Sequence, residues 1–594
     1  MRASLAAALV ALAFLPAGLG AQVTDTFPRP VPDTLLVADS AEAFARLQAD
    51  ASVVVPTMPR MAAAGPQPPL SRAIFPRDSI DASGALTVGD VLARVPGVYL
   101  WRGGGVGRPE MPNFRGRGVA SVEYLLDGMP WLPVGPDSLA VDASLIPLAL
   151  LERIEVERWP GLVRVQLFTR RHDRLAAASH IVLGAGPKKE ATYQASIERR
   201  FVSGFGFAAG ADYLKVPVPV GSLGEYKNTQ FWGQLSYVPT GSFGAQVQYI
   251  GATADRDAFS DGGPTGARFE GGRADFQARV FLGGSAEGLG PRLDLAYART
   301  GFDSAGVLHR IGQVGAAASI RGALWAARAS ARYSTRWTPI DLSATASLSP
   351  VPLLTLAAEG VYRTHDGDRS SRWAGVRGGI SLPGGFVAAG ALRAGEAVPV
   401  PALEADQPQD LNEVEGSVGW SRSWVDLEAT YARTAAFAPV AFRAFPDVAS
   451  LSPLPRTEWV TLSGRLAPLD WISVQGSFSH PQGAVPDGLP PRHYHLTGTL
   501  RSKFLRTFRS GSFDLKLELG VEGWQSGVIG RDAGGAAIVL PSATFLRSLV
   551  RLQIDSFSLF WESRNIGNEA GGYVPGFRIP RYSGLFGIRW GFVN

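Results

Sequence analysis

The residue types that carry covalent chemistry are sparse in this chain. There are seven histidines and no cysteine. A thiolate nucleophile, a thiolate-bound metal and a disulfide are therefore excluded. His493 and His495 stand two apart, so an extended backbone would put them on one face. One more ligand could turn such a pair into a metal site. The other histidines are scattered, so the pair is read as a lumen-facing or interfacial one without metal. No serine occupies a G-x-S-x-G elbow. Glycines 103, 104, 105, 107, 116 and 118 make the densest glycine cluster. The G-x-x-x-x-G-K-[ST] order that cradles phosphate is absent from it. No catalytic residue, metal or cofactor is assigned, and the chain is read as a non-enzyme.

Bulk properties narrow the class of fold that could hold these residues. The net charge of +5 is small for 594 residues, and no basic cluster has interleaved aromatics, so no nucleic-acid partner is expected. Residues 1–21 read as a cleaved secretory signal: Arg2, an apolar run from Leu5 to Leu15, then Gly18, Gly20 and Ala21. Beyond it no apolar run reaches the roughly 18 residues of a spanning helix. Yet 46% of residues are hydrophobic and only 18% charged. Export without a spanning helix leaves a large soluble all-β protein or a membrane β-barrel.

The strand pattern separates these two. Alternation is clearest in Phe513-Asp514-Leu515-Lys516-Leu517-Glu518-Leu519 and returns at Val425–Tyr431 and Leu552–Asp555. In a barrel Phe513, Leu515, Leu517 and Leu519 would face lipid, and Asp514, Lys516 and Glu518 the lumen. From residue 177 onward 22 candidate strands can be placed, about 19 residues each with its connection, where a spanning strand needs about 9–11. Connections after odd-numbered strands are mostly long, as at Gly395–Gln409, Thr434–Pro453 and Asn565–Arg581. Those after even-numbered strands are mostly short, as at Ser421–Ser423. A soluble sandwich has no reason to sort them so. The expected fold is an all-β transmembrane barrel of about 22 antiparallel strands, residues 177–594, preceded by a small N-terminal α/β domain, residues 71–172.

That small domain carries ordered motifs. They are Val91 to Val98 ending in P-G-V, Phe114-Arg115-Gly116, Tyr124-Leu125-Leu126-Asp127-Gly128, Ile146-Pro147, and Glu152-Arg153-Ile154-Glu155-Val156. In this order they resemble the plug domain of the TonB-dependent outer-membrane receptor family. The aromatic-rich end, Leu585 to Asn594, resembles the family's C-terminal sorting signal, with its aromatic two residues early. The resemblance implies a plug inside the lumen and a flexible periplasmic extension, residues 22–70. In that extension Asp33-Thr34-Leu35-Leu36-Val37-Ala38 is similar to a TonB box. Such a box adds as a strand to the periplasmic domain of a TonB-type energy-transducing partner.

Two sets of plug residues follow from the resemblance. Arg115, Gly116, Asp127, Gly128, Arg153 and Glu155 are expected to be structural, the charged ones on strands and paired with lumen charges. Trp101, Arg102, Arg108, Met129, Trp131 and Asp137 are expected on loops that face outward and touch a small-molecule ligand. The alternative for the two tryptophans is packing against the barrel wall. One departure stands out. Trp159-Pro160-Gly161 runs directly into Leu162–Thr169, without the family's glycine-rich stretch. The implied function is receptor and transporter: energy-coupled import of a metal chelate, a cobalamin-like molecule or an oligosaccharide by a monomeric barrel in the Gram-negative outer membrane. A passive or structural plugged barrel, uncoupled from TonB, is the alternative.

Overall fold

The computed structural model describes residues 50, 52–61, 65–135, 137–187, 189–216, 225–257, 269–284, 288–304 and 307–593. The expected signal and the TonB-box-like segment Asp33–Ala38 lie outside these. The chain divides into Met1–Asp50 and Ala51–Asn594, and only the second unit is described below.

Within it, 22 long antiparallel strands form a closed barrel, from Ala178–Ala185 to Ser583–Val593. The last strand pairs with the first, from Phe586↔Ala185 to Val593↔Ala178. Closure leaves no sheet edge, which is what lets a sheet stand in lipid. The period-2 pattern decides the faces. In Phe513–Trp524, Asp514 and Glu518 are buried, while Leu517 and Leu519 are 39% and 58% exposed. Lys516 points inward, donating from Nζ to the Ala82 carbonyl at 2.8 Å and to Glu518 at 2.6 Å. Exposed leucines outside and paired charges inside are the arrangement for lipid around a polar lumen. Phe205, Trp325, Phe386, Trp424, Trp471 and Trp590 lie exposed near the short-turn rim, as an interfacial aromatic girdle requires.

The two rims differ. On one, the long connections 398–412, 435–456, 483–492, 525–542 and 565–582 crowd together. Its connections at 335–339 and 366–368 are short, so this rim has a low side. The other rim has mostly two- to four-residue turns. Its longest connection is 503–512, where Phe508 stacks on Phe513 at 4.6 Å.

Residues 72–169 form the inner domain. Its five-stranded sheet runs Arg72–Pro76, Leu151–Trp159, Leu162–Thr169, Val122–Leu126 and Met129–Pro130 in spatial order. The helices Arg77–Ala82 and Val88–Leu92 are too short to stand alone. They are held by a core of their own with the sheet: Val91, Leu92, Ile154, Val156, Val165 and Leu167 are at most 1% exposed. Thr87 caps the second helix by accepting from Asp90 N at 3.1 Å.

Two expectations on this domain need correction. Arg115 and Asp127 are not strand residues. Both have left-handed backbones, φ 52° and 46°, each followed by a positive-φ glycine, Gly116 and Gly128. Asp127-Gly128 is thus a tight hairpin turn between Leu126 and Met129, the dipeptide such a turn favours. The extension also makes fixed contacts near the barrel. Met58 packs on Val238 and Phe281, and Val55 N donates to the Asp173 carbonyl at 2.9 Å.

Candidate functional site

The contact between plug and barrel combines ion pairs with apolar packing, the latter where Tyr99, Trp101 and Met111 meet Phe442, Phe445 and Trp524. Among the described residues ten ion pairs cross it. Arg115 meets Glu415 at 2.8 Å, Arg158 meets Glu428 at 2.5 Å, and Arg164 meets Glu359 at 2.8 Å. Glu123 meets Arg363 at 2.8 Å, and Asp90 meets Arg564 at 2.9 Å. Arg117 and Glu413 are the most enclosed pair, with side chains 3% and 0% exposed. Of the four charged plug residues expected to meet lumen charges, Arg115 does so. Asp127 binds mainly within the plug, accepting from Thr169 Oγ1 at 2.6 Å. Arg153 and Arg72 both hold Glu155 at 2.6 Å, again inside the plug. The physical reason lies in the sheet: Glu155 faces Ile74 in the register, next to Arg72 on the neighbouring strand and Arg153 on its own.

Most of the residues expected to touch ligand are covered instead. Trp101 is fully buried: it meets Phe442 and Phe445 edge-on and donates from Nε1 to the Gly488 carbonyl at 2.8 Å. Asp137 accepts from the Leu139, Ala140 and Ala444 amides. Burial holds its carboxyl above the usual range. Arg102 is clamped by Asp90 at 2.5 Å and Glu110 at 2.9 Å. Arg108 donates to the Asp257 carbonyl at 2.6 Å, and Met129 packs on Ala296 and Ala298. Long loops folding down onto the plug fix Trp101 and Asp137, whereas Arg102 is held within the plug and Met129 by a barrel strand. Trp131 differs. Arg273 stacks on its ring at 4.0 Å, and its other side lines open space.

That space is a cavity of about 360 Å³ between plug and wall. It runs from Met61 and Gln67 near the short-turn rim to Trp337 and residues 399–402 near the low side of the other rim. The plug contributes Trp131, Trp159, Gly161 and Arg164, and the wall contributes Glu359, Arg363, Arg377 and Arg393. The volume falls in the small-molecule range of about 300–1,000 Å³. None of the wall residues was singled out from sequence. Their signal, charged residues on the buried face of alternating strands, was present but shared by every lumen-facing position. His493 lies elsewhere, hydrogen-bonded to Glu522 at 2.9 Å. No group of three metal-ligating side chains occurs among the described residues.

Comparison with known proteins fits this geometry. Residues 67–164 match the family model TonB-dependent Receptor Plug Domain. A mutant of the ferric enterobactin receptor of Pseudomonas aeruginosa superposes with TM-score 0.70 at 13% identity, covering 89% of this chain and 98% of that one. The FrpB iron transporter of Neisseria meningitidis gives 0.68 at 11%, covering 88% and 99%. The siderophore receptor PirA of Acinetobacter baumannii gives 0.67 at 12%, covering 88% and 98%. At such identities the likeness establishes fold, and the plug match adds the family's domain. A TonB-dependent receptor plug sits inside a barrel of matching architecture, so the chain has the plug-and-barrel build of the TonB-dependent outer-membrane receptors.

Proposed function

We propose that this protein imports a scarce solute across the outer membrane by energy-coupled movement of its plug. The observation that carries the reading is the set of ion pairs between plug and wall. The plug's sheet and helices pack around an apolar core, and ten ion pairs among the described residues reach from it to the wall beside the apolar contacts. Water can replace an ion-pair partner far more readily than a packed methyl group, so such a plug can shift without losing its fold. Export by residues 1–21 and coupling through Asp33–Ala38 complete the scheme. A metal chelate is the favoured cargo, since the structures it resembles are receptors for ferric enterobactin, a siderophore and iron. The roles of Arg115, Gly116, Asp127 and Gly128 are then structural, shaping and seating the plug.

Proline tests the coupling, because it removes a backbone donor and fixes φ. Leu36→Pro should leave assembly intact and abolish energised uptake of a ferric siderophore, while Leu36→Ala should do little. Equal uptake by Leu36→Pro would favour the second reading, a passive plugged barrel. The abbreviated Pro160-Gly161 turn is the observation that supports that alternative.

A further inference from the structure

The lining of the plug–wall cavity is rich in arginine. Eight arginines and four carboxylates line it. All four carboxylates are already held: Arg164 takes Glu157, Arg164 and Arg363 take Glu123, Arg332 and Arg363 take Asp341, and Arg164 takes Glu359. Arg377, on the strand Arg369–Ser381, is left over. It is 4% exposed, and its Nε and Nη2 have no hydrogen-bond partner. These two donors form one edge of the guanidinium, the edge that grips a carboxylate or phosphate with two parallel hydrogen bonds.

Stacking on an indole holds that guanidinium in place. Arg377 lies over the ring of Trp159 with Cζ 3.5 Å from its centroid. Trp159 is 2% exposed, and its Nε1 also lacks a hydrogen-bond partner. The indole can sit there because Gly375 faces it: a Cβ on that residue would come within 2.5 Å of the ring. A second tryptophan, Trp373, meets Trp159 edge-on at 6.0 Å and carries Arg393 at 4.8 Å. Arg393 is 6% exposed and reaches only to 3.7 Å from Glu413. Three buried donors without acceptors, beside an arginine-rich cavity, call for a ligand rich in acceptors. The cavity also lies against Trp159, Gly161 and Leu162, where the chain lacks the glycine-rich stretch.

We propose that this cavity holds an oxyanion, the carboxylate or phosphate group of a small solute, gripped by the Arg377 edge and the Trp159 indole N–H. It rests on the import reading only for its purpose, as a station partway along the wall. Binding itself needs no coupling partner, so it can be present where energised uptake fails, and absent where uptake stands.

The test is calorimetric titration of the purified full-length protein in detergent, at constant ionic strength. The probes are tricarballylate, inorganic phosphate and, as a neutral control, succinamide. At least one oxyanion should bind saturably and succinamide should not. Arg377→Gln and Trp159→Phe should each weaken that binding at least tenfold, with heat-modifiable migration confirming the folded barrel. Arg292→Gln, which removes a lumen charge paired with Asp294, should leave it unchanged. If Arg377→Gln does not assemble, Trp159→Phe and Gly375→Ala, which would push the indole away, decide the matter. Absence of saturable binding, or binding that neither Arg377→Gln nor Trp159→Phe weakens, overturns the proposal.

Discussion

Arg117 and Glu413 have almost no contact with water, and Arg117 also lies 4.2 Å over the Phe437 ring. Removing one partner of so enclosed a pair strands the other charge, which costs about 3–5 kcal/mol. Glu413→Gln should therefore loosen the plug by about that amount, read as a lower urea midpoint for protease access to residues 72–169. Arg170→Gln should cost less, since Arg170 and Glu198 are 13% and 9% exposed. Asp81 gives a pH dependence. Burial raises its carboxyl, but Arg77 and Arg589 lower it further, to about 2. A carboxylate depressed in the folded state stabilises above its unfolded value, near 3.9, and that contribution is lost as pH falls toward 2. Plug protection from protease should fall across that window, and Asp81→Asn should flatten the fall.

Strands of this barrel are specified one face at a time. Leu517 lies between Lys516 and Glu518, whose side chains are tied to each other on the opposite face. Arginine at a lipid-facing midpoint costs roughly 2–4 kcal/mol. Leu517→Arg should therefore reduce heat-modifiable, assembled barrel, whereas Gln553→Ala on the neighbouring strand should not. The Leu151–Trp159 and Leu162–Thr169 hairpin is the plug's equivalent. Its two-residue turn pairs Trp159 with Leu162, so lengthening it with glycines should be tolerated by the sheet. The insertion would, however, press on Arg117 and Glu413, which lie within 3 Å of a Cβ built at Gly161. It should therefore lower the same urea midpoint.

Taken whole, the molecule is a wide barrel occupied by a separately folded body. A 22-stranded wall encloses a lumen that needs a plug, and larger barrels without one leave an aqueous channel. Deleting residues 71–172 should turn a nearly silent barrel into one with large, stable conductance in a planar bilayer. If the deleted protein assembled but stayed silent, the long loops alone would be sealing the pore. The crowding of long loops over one part of the rim, opposite the low side at 335–339 and 366–368, makes entry lopsided. The cavity lies beneath the low side.

The sequence by itself determined the strands and their faces. A period of two is local: Asp514, Lys516 and Glu518 declare one face and Leu517 and Leu519 the other without reference to any partner. It also determined the sorting of long and short connections, and hence closure, because both are written along the chain. The order of plug motifs was equally legible, but Asp127 was expected on a strand, and only the folded backbone shows it in a left-handed turn. Tertiary structure alone decided which charges meet. Arg117 and Glu413 are 296 residues apart, and nothing near either one names the other. It also decided that loops would fold over Trp101 and Asp137, turning expected ligand contacts into plug anchors. And it left Arg377 unpaired, since whether an arginine has a partner depends on where every other carboxylate in the lumen is spent.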